Sequence, residues 1–189
     1  QNLKKVRVIS DNPNTSNLNV NDLLPILDTP DLEEFAIDVF GLQQETYPER
    51  GDNLLHKLID AVASMDPRSL RTLIVPCRQT KAAGYDRYGY QPAHPPVSSL
   101  VYIAKTTPEL TKLSIALDSS ARPDNETLKS LIDAWDHKTP TSKLQYLQIL
   151  EMRTTAFAAR EYGELARLFD TLFPNLVSIT MADALNRST

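Results

Sequence analysis

Apolar residues recur in one short pattern along the whole chain. The pattern is L-x-x-Φ-x-Φ, where Φ is apolar, and its alternation is typical of a half-buried β-strand. Six copies begin at Leu3, Leu32, Leu70, Leu110, Leu144 and Leu176. Their intervals of about 29 to 40 residues leave room for a strand, a helix and two connections. The pattern therefore predicts six strands within a single repetitive domain spanning residues 1–189.

Between these motifs the apolar spacing changes to that of an α-helix. Clear stripes occur in residues 54–62, 128–135 and 165–172, and shorter helices are predicted for residues 21–28 and 97–105. Strands that alternate with helices at such spacing usually form a parallel sheet. We expect each strand except the last to be followed by a helix.

Proline stands two residues before the first leucine in three copies, at Pro30, Pro108 and Pro174. Proline cannot continue a helix, and it favours an extended residue before it. We expect these prolines to end the preceding helix and lead the chain into the strand.

Glycine usage bears on the type of parallel sheet. A doubly wound sheet typically carries a glycine-rich phosphate turn and continuous Val/Ile strands. This chain has only five glycines, none in a G-x-G-x-x-G or P-loop arrangement, and its strands alternate. The sequence favours an α/β solenoid with about six parallel strands in one curved layer and helices outside it.

Two strand motifs resemble a known repeat family. Residues 110–115, LTKLSI, and 176–181, LVSITM, resemble the strand segment of the longer, helix-bearing leucine-rich repeats. The irregular intervals and the Pro-x-Leu approach most resemble the divergent repeats of fungal F-box/leucine-rich-repeat proteins. The chain departs from the family at the ladder position for Asn or Cys, eight residues after each first leucine. Those positions hold Asp11, Phe40, Arg78, Asp118, Met152 and Ala184.

The resemblance also implies a function and a longer parent chain. It implies the substrate-recruiting repeat region of an F-box ubiquitin-ligase adaptor, and no F-box segment lies in this sequence. We therefore expect the chain to be a fragment of a longer protein, with flanking repeats or domains as possible partners.

Strand alternation also predicts which residues meet a binding partner. Positions between the apolar ones point away from the core, and they include Glu34, Ala36, Asp38, Lys112, Ser114 and Tyr146. The predicted surface mixes charges of both signs, which suits a protein partner better than a polyanion. The alternative interpretation is that these are ordinary solvated strand positions.

A long connection after the third strand is a second candidate for partner binding. Residues 78–96, RQTKAAGYDRYGYQPAHPP, exceed the usual length of a connection. Tyr85, Arg87, Tyr88 and Tyr90 offer the amphipathic contact area that binding loops favour. The alternative is that these tyrosines pack back onto the edge of the solenoid.

Charge and cysteine content narrow the partners and the compartment. The 20 basic and 24 acidic residues give a net charge of -4, so no general positive field favours nucleic acid. No apolar stretch approaches the roughly 20 residues of a membrane-spanning helix. The single cysteine, Cys77, excludes an internal disulfide and favours the cytoplasm or nucleus.

The sequence offers little chemistry for catalysis. No pair of the three histidines, His56, His94 and His137, has the spacing of metal ligands. Cys77 and His94 could act as nucleophile and base, although a buried structural thiol explains Cys77 more simply. We expect no catalytic, cofactor or metal site, and we favour a non-enzymatic protein-protein interaction module. Two alternatives remain: a small ligand-binding or hydrolase-like α/β domain centred on Cys77 and His94, and a structural repeat segment that docks within a larger chain.

Overall fold

The computed structural model describes residues 3–9, 20–27, 29, 31–40, 69–75, 77–78, 97–117, 125–135, 141–151 and 162–183. The strands are β1 Lys5–Ile9, β2 Glu34–Phe40, β3 Thr72–Val75, β4 Cys77–Arg78, β5 Lys112–Leu117, β6 Tyr146–Glu151 and β7 Ser178–Asp183. The helices are α1 Val20–Leu27, α2 Ser99–Thr106, α3 Asn125–Asp133 and α4 Tyr162–Leu172. This is the α/β fold that the alternating patterns predict.

Six of the strands form one parallel sheet in which spatial order follows chain order. The order is β1-β2-β3-β5-β6-β7, and the short β4 pairs with the end of β2. All five neighbouring pairs in the main sheet are parallel. The predicted six-stranded parallel sheet is confirmed, and within the described residues its strand order does not reverse.

Equivalent motif positions lie side by side across the sheet. Phe35 pairs with Leu73, which pairs with Leu113, and the row continues through Leu147 to Ile179. Since side chains alternate between the two faces of a strand, this register keeps every apolar motif position on the same face. The repeat seen in the sequence is thus also a repeat in space.

A backbone hydrogen-bond pattern recurs at each strand junction. The Arg71 carbonyl accepts from the Thr111 and Lys112 N–H groups, at N···O distances of 2.8 and 3.0 Å. The carbonyls of the residues at the same motif position in the other strands make the same pair of bonds to the next strand. These residues are Lys4, Glu33, Thr111 and Gln145. All five junctions therefore share one local geometry.

The core lies between the sheet and the helices. All three apolar positions of the four inner motif copies are buried: Leu32, Phe35, Ile37, Leu70, Leu73, Val75, Leu110, Leu113, Ile115, Leu144, Leu147 and Ile149. They form one cluster with helix residues such as Leu23, Leu100, Leu128 and Leu168. The predicted burial is wrong at the two ends, where Leu3 is 51% exposed and Ile179 is 39% exposed. An end strand has a neighbour on only one side, so less of its apolar row is covered.

Two of the Pro-x-Leu segments form tight turns before their strands. Leu110 N–H donates to the Thr107 carbonyl at 3.2 Å, and Leu176 N–H donates to the Phe173 carbonyl at 3.0 Å. Proline stands second in each four-residue turn, where its fixed φ is favourable. The prolines thus help to close the turn that takes the chain from a helix into the next strand.

Four of the five predicted helices are found within a few residues of their predicted bounds. The stripe at residues 54–62 lies outside the described residues. The stripe at 128–135 extends past its helix, because α3 ends at Asp133 and Trp135 follows it. Trp135 is nevertheless 9% exposed, with the Lys105 Nζ atom 5.7 Å from its ring centroid. The apolar spacing continues past the helix because the chain remains buried beyond the helix end.

Candidate protein-binding surface

The sheet side that faces away from the helices is called the strand face, and two of its rows of side chains cross all six strands. The first row is Lys5, Glu34, Thr72, Lys112, Tyr146 and Ser178. The second row is Arg7, Ala36, Ile74, Ser114, Gln148 and Thr180. Each row crosses the sheet with a spacing of about 4.8 Å between strands.

Three of the predicted contact residues occupy one row. Glu34, Lys112 and Tyr146 share the first row, with Thr72 between Glu34 and Lys112. Lys112 is exposed, and Tyr146 is 49% exposed. Asp38 lies further along β2, in register with Ile9. The structure thus brings together residues that are more than a hundred positions apart in the chain.

The tyrosine-rich connection lies outside the described residues. This holds for Tyr85, Arg87, Tyr88 and Tyr90, so their part in binding stays a prediction. Arg78, the first residue of the connection, ends β4.

Two second-row positions that were predicted to face a partner are buried. Ala36 and Ser114 are each 2% exposed. Both are small and are flanked in register by longer side chains, and the Ser114 hydroxyl donates to Gln148 Oε1 at 2.9 Å. For these two residues the prediction is wrong, because outward direction alone does not make a short side chain accessible.

At the β1 end of the strand face, one carboxylate pairs with two cations. Glu34 lies 3.5 Å from the Lys5 ammonium and 3.6 Å from the Arg7 guanidinium, measured from its two carboxylate oxygens. Its carboxylate is shared by two cations of the same chain. Glu34 therefore offers a partner less free charge than its sequence position implied.

The middle of the strand face has a different character. No carboxylate of the described residues forms an ion pair with Lys112. Tyr146 stands beside it in the first row, and Gln148 lies two residues further along β6. Gln148 Oε1 already accepts from Ser114, which leaves its amide N–H groups as donors. This group of residues is rich in hydrogen-bond donors.

A second charge cluster lies at the edge of the sheet where the chain enters each strand, here called the strand-start edge. The sequence analysis did not predict this cluster. Glu109 Oε2 lies 2.6 Å from Arg71 and 2.7 Å from Lys143, and Lys4 lies 2.6 Å from Glu33. The available signal was the alternating charge of Lys4, Glu33 and Arg71 at one motif position. Each of these pairs links neighbouring repeats.

Hydrogen bonds from Lys143 and Arg71 lower the pKa of Glu109 below its ordinary value of 4.5. A carboxyl group whose pKa is lower in the folded state than in the unfolded state stabilises the fold at pH values above the unfolded-state pKa. This stabilisation is lost as the pH falls through the folded-state pKa. We expect Glu109→Gln to destabilise the protein at pH 7 by at most about 1 kcal/mol, because the cluster is partly exposed. The deficit should begin to shrink as the pH falls below about 4.5, where the unfolded wild-type chain takes up the proton first, and it should be lost once the pH is below the lowered folded-state pKa.

Thermal unfolding of both proteins between pH 7 and pH 3 measures this effect. Asp170→Asn is the control, because Asp170 is an exposed carboxylate with no ion pair among the described residues. A pH-independent difference for Glu109→Gln would contradict the role assigned to the ion pairs.

Of the residues considered for catalysis, the structure describes only Cys77. Cys77 lies in β4, whereas His56, His94 and His137 lie outside the described residues. Among the described segments, no group of three His, Cys, Asp or Glu side chains could hold a metal ion. In the same segments, no helix has both the length and the apolar character to cross a bilayer.

Comparisons with protein-family models, with curated proteins and with solved structures found no match.

Proposed function

We propose that this chain is a leucine-rich-repeat-like solenoid that acts as a non-enzymatic protein-protein interaction module. The observation that carries the proposal is the constant register and the recurring pair of backbone bonds at five junctions. In repeat proteins each unit contacts mainly its neighbours, and stacking produces an extended surface for binding. A sheet whose spatial order follows its chain order supports that architecture.

The composition of the strand face supports a protein as the partner. The face combines an exposed tyrosine with charged and uncharged hydrogen-bond groups, and tyrosine is enriched among energetically important interface residues. Tyr146 stands between Lys112 and Ser178 in the first row. The connection with Tyr85, Arg87, Tyr88 and Tyr90 follows β4 and forms the second part of the proposed surface.

A more specific role rests on the family resemblance. The resemblance to fungal F-box/leucine-rich-repeat proteins supports a substrate-recruiting repeat region of a ubiquitin-ligase adaptor. The single cysteine supports the cytoplasm or nucleus as the compartment. This role is an analogy between repeats, and the strand face is where the recruited substrate would bind.

Site-specific photo-crosslinking tests the binding surface. We expect a photoreactive phenylalanine analogue at position 146 to capture a defined partner, because Tyr146 is exposed on the strand face. The same probe at position 162 is the matched control, because Tyr162 is 45% exposed but begins α4 on the helix side. With the captured partner purified, Tyr146→Ala should weaken binding by about tenfold or more, and Tyr162→Ala should not.

Equal capture at positions 146 and 162 would contradict a binding site on the strand face. A triple change of Tyr85, Tyr88 and Tyr90 to alanine then tests the connection separately. Unchanged affinity in that variant removes the connection from the binding surface.

A structural repeat segment is the second candidate, and the last strand favours it. Val177 is 72% exposed and Ile179 is 39% exposed, whereas Leu147, the equivalent of Ile179 on β6, is 2% exposed. Residues 178–182 of β7 also carry no charge and Asp183 ends the strand, whereas Lys5 and Arg7 lie in β1 and Lys4 directly precedes it. Such an edge suits pairing with a strand of another repeat unit, and sedimentation at rising protein concentration reports such pairing.

A further inference from the structure

The cations on the sheet side of the molecule differ in whether they already have a partner. Lys5 and Arg7 share Glu34, and Arg71 and Lys143 share Glu109. Lys4 pairs with Glu33. Within the described segments, Lys112 is the cation of the strand face that no carboxylate neutralises. Its charge is therefore available to a bound molecule.

The neighbours of Lys112 add donors and no further negative charge. Its partners in register are Thr72 and Tyr146, which are uncharged, and Glu34 lies two strands away. At a strand spacing of about 4.8 Å, one acceptor group can lie between the side chains of Lys112 and Tyr146. The amide of Gln148 lies on the same side of the sheet, two residues along the strand.

We propose that the partner segment bound over Lys112, Tyr146 and Gln148 is acidic. A carboxylate of that segment accepts hydrogen bonds from Lys112 Nζ and Tyr146 Oη, and a backbone carbonyl beside it accepts from the Gln148 amide. This inference rests on the proposed protein-binding function and specifies its partner. Charge complementarity supports it, because Lys112 carries a positive charge that pairs with no carboxylate of the described residues.

The chain offers a matched pair of lysines for the test. Lys112 and Lys129 are both exposed, and neither forms an ion pair with the other described residues. Lys112 lies on the strand face, whereas Lys129 lies on α3 in the helix layer. Lys112→Glu and Lys129→Glu make the same change in net charge, so they separate a local contact from a general electrostatic effect.

The probe is a short synthetic peptide rich in Glu, compared by fluorescence anisotropy with the same peptide carrying Gln instead. We expect the Glu peptide to bind more tightly than the Gln peptide, and we expect its affinity to fall as salt is added. Lys112→Glu should weaken it by about tenfold or more, and Lys112→Gln by less. Lys129→Glu should leave the affinity within about twofold. Thermal unfolding of each variant shows whether the fold is retained.

Three outcomes would overturn the proposal: equal binding of the Glu and Gln peptides, no binding of either, or equal weakening by Lys112→Glu and Lys129→Glu. Equal, Lys112-dependent binding of a single-stranded oligonucleotide would also overturn it, in favour of a polyanion site. The crosslink at position 146 distinguishes failure of the acidic-segment proposal from failure of the proposed binding function. Capture of a partner through a neutral segment rejects only the acidic segment, whereas no specific capture at 146 rejects the binding function itself.

Discussion

Replacing Phe35 with alanine is expected to lower the free energy of unfolding by about 3 to 5 kcal/mol. Phe35 is fully buried and lies in register between Val6 and Leu73 in the inward row of the sheet. Its removal loses apolar contacts on both sides and leaves a cavity that the neighbouring strands can fill only in part. Urea unfolding followed by circular dichroism gives the change, provided that the slope with denaturant is unaltered.

The control for this change occupies the same motif position on the last strand. Ile179 is 39% exposed, so Ile179→Ala is expected to cost only about 1 kcal/mol. The contrast tests the repeat geometry itself, because both residues belong to one row. Similar costs for the two variants would contradict the assignment of β7 as an end strand.

Leu168→Asp is expected to abolish cooperative folding. Leu168 is fully buried on α4, in the cluster that packs between the helices and the sheet. An unpaired carboxylate there costs more than about 4 kcal/mol, which approaches the whole stability of an ordinary domain. The loss of a sigmoidal thermal transition, with increased binding of a hydrophobic dye, is the measurement.

Ala166→Asp provides the comparison on the same helix. Ala166 is exposed, so its replacement costs about 1 kcal/mol, from lower helix propensity and from repulsion by Asp170 one turn away. The transition should remain cooperative. If both aspartate variants lost the transition, the orientation of α4 would be wrong; if neither did, Leu168 would not be a core residue.

Secondary structure could be predicted well because it depends on nearby residues. Residues 97–105 were predicted to be helical, and α2 spans Ser99–Thr106. The strand motif beginning at Leu110 likewise predicted β5. Alternation and helical spacing are consequences of backbone geometry, so a few apolar residues suffice to reveal them. The sequence also carried the register, since aligning the motifs aligns their apolar positions.

The candidate binding surface was predicted only in part. Lys112 and Tyr146 were predicted to point away from the core, and the structure shows them side by side. The neutralisation of Glu34 and the burial of Ser114 were not foreseen. Each depends on side chains from another strand, about 30 residues away in the sequence. Side-chain length decides these contacts, and a pattern of apolar and polar positions does not record it.

The sequence by itself determined the core except at the two end strands, and it determined the order of the strands, because both follow from a repeated apolar pattern. The tertiary structure alone decided which outward residues can meet another molecule. Lys5 and Lys112 hold the same motif position, yet Lys5 lies beside Glu34 and Lys112 lies beside Thr72 and Tyr146. The difference arises because neighbours across the sheet, and not neighbours along the chain, determine whether a charge is already paired.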